Sequence, residues 1–196
     1  MPTQNLYPNA AGDLTQFPTV EPSSINHFEA VDETSADDDT SYVQSGGDEL
    51  VTFFITIKEN STTTGASKTF TDNTNYNNYT NQWTAKPSDS SAFTVTDINN
   101  LQIGVRFTGS DGPTDQTDLF NIQDWPHNSG DTINSITVSA RWKNAGAGAA
   151  VQRMRCTQVF VTVDYTEFVE TTGPFKIEAG ARIQVLSGKF KIGEIE

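Results

Sequence analysis

Cysteine, histidine and long apolar runs are scarce or missing in this sequence, and its first quarter has no basic residue. One cysteine, Cys156, in 196 residues leaves no intrachain disulfide and no zinc site built on cysteines. Two histidines, His27 and His127, come without a Gly-x-Ser-x-Gly elbow, so nothing in the spacing points to a Ser-His-Asp site, and both read as structural or surface residues. Cys156 opens a strand-like stretch and reads as a small buried side chain. No run approaches the roughly eighteen apolar residues of a membrane-spanning helix. The opening MPTQNLYPNAAGDL has neither a charged n-region nor an apolar h-region, so no signal peptide is expected.

The net charge is −13, and it is unevenly placed. Residues 1–50 hold ten carboxylates and no Lys or Arg, residues 51–166 ten against eight basic residues, and residues 167–196 five against four. Binding to nucleic acid by counterion release needs clustered Lys and Arg, which this distribution does not supply, and an acidic membrane surface repels such a chain. The sequence therefore implies no nucleic-acid or membrane partner, and a surface that stays in solution or meets a basic one.

What is present is aromatic residues, Asn, Thr, Ser and Gly, a composition of strands joined by turns. Four segments alternate apolar and polar residues with period two. They are ELVTFFITI (Val51, Phe53, Ile55, Ile57), LQIGVRF (Leu101, Ile103, Val105, Phe107), ITVSARW (Ile136, Val138, Ala140, Trp142) and CTQVFVTVDY (Val159, Val161, Val163, Tyr165). Such alternation predicts half-buried antiparallel strands. Weaker strands are expected at His27–Val31, Ser41–Gln44, Thr69–Thr71 and Asn81–Thr84. TVTDINNL predicts one helical turn, since Thr94 and Asp97 have capping-box spacing. Many strands with almost no helix predict an all-β antiparallel β-sandwich of jelly-roll type. The division expected is an extended N-terminal arm with at most one short strand over 1–25, the sandwich over 26–166 and a C-terminal β-arm over 167–196.

Three groups of residues are candidate sites. Asp37, Asp38 and Asp39, with Asp32 and Glu33, offer oxygen ligands of the kind calcium takes, but without a recognised calcium-loop spacing; a solvated turn is the plainer reading. Tyr76, Tyr79 and Trp83 lie among amides in NTNYNNYTNQW, a pattern that suits either a sugar-contacting surface or an aromatic anchor beneath a polar loop. Paired carboxylates of the glycosidase kind carry no signal here, because twenty-five acidic residues guarantee some pair at a suitable distance. No cofactor is implied.

The phrases LYPNAAGDLTQFP, HFEAVDETSADDDTSYV, QWTAKPSDSSAFTVTDINNLQIGVRF and RCTQVFVTVDY together resemble a concanavalin A/laminin G-like jelly-roll module, found in structural proteins of tailed-phage virions and in prophage-derived or surface proteins of bacteria. The likeness spans about residues 4–166. One phrase, at 117–142, stands after the Trp83 phrase where the family has it before. The resemblance implies a non-enzymatic virion protein, made in the host cytoplasm, and brings no catalytic residue. The partners implied are a major capsid protein or another virion protein, and sister copies in a homo-oligomer such as a trimer. A carbohydrate-binding module of a tail fibre or bacterial surface protein is the alternative.

Residues 167–196 lie beyond the likeness. Gly173-Pro174, Gly180 and Gly188 divide them into three short amphipathic strands, Phe175–Glu178, Arg182–Leu186 and Lys189–Ile192. Phe175, Ile177, Ile183, Val185, Phe190 and Ile192 give too little apolar surface to offset the ordering of thirty residues, so this stretch must draw its order from another sheet. Short strands with free edges add to a sheet or to another chain, which makes these six the expected docking residues.

Overall fold

The computed structural model describes residues 2–34, 40–46, 51–68, 75–109, 115–145 and 152–169. Within them eleven strands form two antiparallel sheets packed face to face. The first sheet has the order β3 (Thr19–Glu21), β4 (Tyr42–Gln44), β11 (Met154–Thr166), β10 (Thr132–Asn144), β7 (Asn77–Trp83). β11 is long enough to carry β4 along Arg155–Cys156 and β1 (Thr3–Leu6) along Val161–Asp164. The second sheet runs β2 (Pro8–Thr15), β9 (Gln116–Ile122), β8 (Gln102–Gly109), β5 (Val51–Glu59), β6 (Thr62–Lys68).

Alternation in the sequence becomes the two inner faces. Phe53, Ile55, Ile57, Ile103, Val105 and Phe107 from the second sheet meet Ile136, Val138, Ala140, Trp142, Val159, Val161, Val163 and Tyr165 from the first, all buried in one core. Residues one step along each strand face out, as a pleated strand requires. Trp142 is the largest of these side chains; it stacks on Tyr79 at 4.5 Å and 19° and tilts against Phe53 at 5.8 Å.

Three expectations change. The stretch 1–25 is not an arm standing apart: β1 and β3 belong to the first sheet and β2 to the second, because their polar sequences gain backbone pairing on β11, β4 and β9 without needing a pattern of their own. His27–Val31 is a pair of turns and not a strand, closed by Ala30 N–H to His27 O and Val31 N–H to Phe28 O, with Ala30 and Val31 buried. β6 and β9 join strands that alternation alone had marked elsewhere. The strand expected at Ser41–Gln44 is Tyr42–Gln44, the one expected at Asn81–Thr84 begins earlier and runs over Asn77–Trp83, and Thr69–Thr71 lies outside the described residues.

The expected helical turn is α1 (Val95–Asn99). The Thr94 hydroxyl accepts from Asp97 N–H, and the Asp97 carboxylate accepts from Thr94 N–H, so aspartate completes the capping box. Asp97 also lies 3.5 Å from Lys86 Nζ, which has Asp89 at 3.5 Å and the buried Glu59 at 3.9 Å. Burial on its own lowers the pKa of Lys86; Asp97, Asp89 and Glu59 outweigh it and hold the ammonium above its ordinary 10.5. A lysine raised in the folded state contributes stability that is whole below its unfolded pKa and is lost as pH rises through the folded one. Urea unfolding of the native protein is therefore expected to weaken more steeply above about pH 10 than that of Lys86→Met. Equal slopes for the two would show that the carboxylates lend Lys86 nothing.

Candidate functional site

The six docking residues expected from the sequence, Phe175, Ile177, Ile183, Val185, Phe190 and Ile192, lie outside the described residues, as do Asp37, Asp38 and Asp39. Asp32 and Glu33 are described; burial raises the Asp32 pKa and Glu29 adds to the rise. Among the described residues no three His, Cys, Asp or Glu side chains come together as metal ligands, and no helix is long and apolar enough to cross a membrane.

The aromatic candidates are spread across one strand and its approach. Tyr79 and Trp83 turn inward from β7 and pack against the core, Tyr79 flat on Trp142. Tyr76 lies before the strand, with Lys143 Nζ 4.5 Å and the Arg141 guanidinium 5.6 Å from its ring centre. The three rings therefore do not share one outward platform: two anchor β7 and the third takes cations.

The point where the chain leaves β11 is built in detail. Trp125 meets Tyr165 edge-on at 4.9 Å and lies 5.1 Å from the His127 ring. Tyr165 Oη is 3.2 Å from His127 Nε2, which also stands 3.4 Å from Gln4 Oε1. Trp125 Nε1–H donates to Asp131 Oδ2 at 3.2 Å, and the other oxygen of Asp131 accepts from Phe168 N–H at 2.8 Å. The Phe168 ring lies over Gly130, where an added Cβ would stand 2.8 Å from it. So the residue two past β11 is held by a carboxylate and a glycine that precede β10. The held segment nevertheless presents apolar surface: Phe168 is 51% and Val169 73% exposed, the large apolar side chains in water among the described residues. The Tyr165 pKa is raised by burial, with Glu167 and Asp131 adding to it. His127 thus has a structural place. The signal missed in the sequence was Asp131, whose partners lie six and thirty-seven residues away.

A second polar centre sits inside the sandwich. Asp118 faces the core from β9 and is fully buried. Its Oδ1 accepts from the backbone N–H of Gln16 at 2.6 Å and of Phe17 at 2.9 Å, and its Oδ2 meets His27 Nδ1 at 2.6 Å. Gln16 returns the contact by accepting from Thr117 N–H. Both carboxylate oxygens are thereby engaged in tying 16–17 and 27 to the second sheet. Gly104 lets the backbones of β8 and β9 come close beside Asp118, since a Cβ there would stand 1.9 Å from the Asp118 carbonyl oxygen. Cys156 is buried, its pKa pushed up to about 12 by burial with Asp118 adding to the rise, and its Sγ lies 3.5 Å from Gln158 O. It is a protonated thiol at neutral pH, and the thiolate is the reactive form. Aspartate and histidine act here as clamps between segments distant in sequence.

No family model, curated protein or solved structure matches the chain.

Proposed function

We propose that this protein is a structural component of a phage virion, a capsid decoration or cement protein. In this reading a jelly-roll sandwich stabilises the shell through strand and arm contacts to the major capsid protein, another virion protein or sister copies. The observation that carries it is the built exit at Phe168. A chain that simply ended its fold at Thr166 has no use for the Asp131 and Gly130 hold on the next residues, or for two apolar side chains presented to water at its rim. The hold gives the chain a fixed base at Phe168, and the amphipathic strand pattern of residues 170–196 in the sequence suits pairing with a sheet edge, which supplies many backbone hydrogen bonds without a deep pocket. The resemblance of the sequence phrases to a module of virion proteins supports this class of partner.

A chain ending at Val169 keeps every contact of the exit. It is expected to give the unfolding transition of the full chain and to lose co-sedimentation with capsid shells assembled without the protein. Retained co-sedimentation at the same protein concentration would refute the docking role of 170–196.

A further inference from the structure

An edge strand presents unpaired backbone groups, and natural sheets guard such edges with proline, charge, bulges or brevity. Three edges of this sandwich are guarded. β3 has three residues between Pro18 and Pro22. β2 begins at Pro8, and its register on β9 slips between Ala11 and Thr15, where Asp13 pairs with Lys58. β6 contains Gly65 and ends on Lys68. β7 has none of these devices: its seven residues, NNYTNQW, include no proline, glycine or charge, and among the described residues it pairs with β10 alone. Its inward side chains Tyr79 and Trp83 pack on the core yet stay only partly buried, so the border of the core is half covered along this edge.

Direction fits as well. β7 and β11 both run antiparallel to β10. β7 ends with Trp83 opposite Ile136, and β11 ends with Thr166 opposite Thr132, at the same end of the sheet. A segment that leaves β11 there and turns back runs antiparallel to its own β7, and a second copy set alongside in the same orientation offers its β7 edge in that same direction. The thirteen residues from Val169 to Arg182 span at most about 45 Å, enough to reach past one sandwich to the next.

We propose that the β7 edge of one copy receives the C-terminal segment of a second copy, with Arg182–Leu186 as the central added strand; this rests on the reading of 170–196 as a docking arm. Period two then places Ile183 and Val185 inward beside Tyr79 and Trp83, completing the half-covered border, and leaves Arg182 and Gln184 on the outer face with Thr80 and Gln82. A second copy is the occupant, and not the chain's own edge, because Phe168 and Val169 keep half to three-quarters of their surface in water, which a tail folding straight back over them would cover.

Cross-linking of full-length chains tests this. One variant carries Thr80→Cys, another Gln184→Cys, and buried Cys156 is left in place. Mixed and treated with a short bismaleimide, the two are expected to give a covalent dimer that neither gives alone. A link formed only within single chains that carry both substitutions would put the tail on its own edge and overturn the proposal. So would the absence of any link with Gln184→Cys and with its register neighbour Arg182→Cys. If the chain ending at Val169 fails to bind shells while these links are also absent, the docking arm stands and the β7 acceptor alone is lost; if that shortened chain binds shells fully, the docking arm itself is refuted.

Discussion

Asp118→Ala is expected to remove about 3–5 kcal/mol of unfolding free energy, the cost of taking one acceptor away from several donors at once. The alanine leaves the N–H groups of Gln16 and Phe17 and the ring of His27 without their acceptor, with Phe17 and the Asp118 position itself buried. Each buried donor left unmatched costs about 1–3 kcal/mol, so the loss is that of a small network and not of one contact. For a chain of this length the midpoint of thermal unfolding falls by roughly 6–20 °C. Asp118→Asn keeps the shape and one acceptor oxygen, so its loss is expected to be smaller. Chemical denaturation of the three proteins decides the matter: an alanine variant within about 1 kcal/mol of the native protein would mean that the carboxylate does not clamp 16–17 and 27 to β9.

Trp142→Ala is expected to cost about 3–5 kcal/mol, the range for deleting a large buried aromatic. The cavity opens between the sheets, because the ring bridges Tyr79 on β7 and Phe53 on β5. The buried indole N–H has no hydrogen-bond partner among the described residues. Trp142→Phe removes that unmatched donor while keeping a ring in place, so it is expected to cost under about 1.5 kcal/mol. The contrast is the test: equal losses for phenylalanine and alanine would show that the nitrogen is bonded after all, or that the ring volume is immaterial.

The parts of the fold that could be read in advance are those whose pattern comes from burial on one face. β5, β8, β10 and β11 are long, half-buried strands, and their alternation survives intact into the two inner faces. α1 was legible because Thr94 and Asp97 satisfy each other locally. β9 was hidden by its own function. Asp118 occupies an inward position, which reads as polar, and Leu119 points the other way yet is buried too, so QTDLFNI lacks period two. β1, β2 and β3 escaped for another reason: they take their order from partner strands, more than a hundred residues away for β1 and β2, and polar sequences such as TQNL carry no trace of them. The exit at Phe168 shows the same limit. Trp125 and Asp131 are ordinary loop residues until β10 and β11 bring them beside the departing chain. A carboxylate set in an apolar stretch, as in TDLFNI, was the one local sign of the Asp118 clamp.

The pairing of Thr3 with Asp164 has a consequence for how the molecule comes into being. β1 cannot find its place until β11 has been synthesised, and β11 also carries β10 and β4. A chain emerging from the ribosome therefore holds an unfinished first sheet until β11 has been made, with the hydrophobic strands β5 and β8 already present. Contacts so remote in sequence slow the search for the native state and prolong the interval in which nascent chains meet one another. The surplus of negative charge in residues 1–50, which are made before β5, β8 and β11, is well placed to keep those unfinished chains apart.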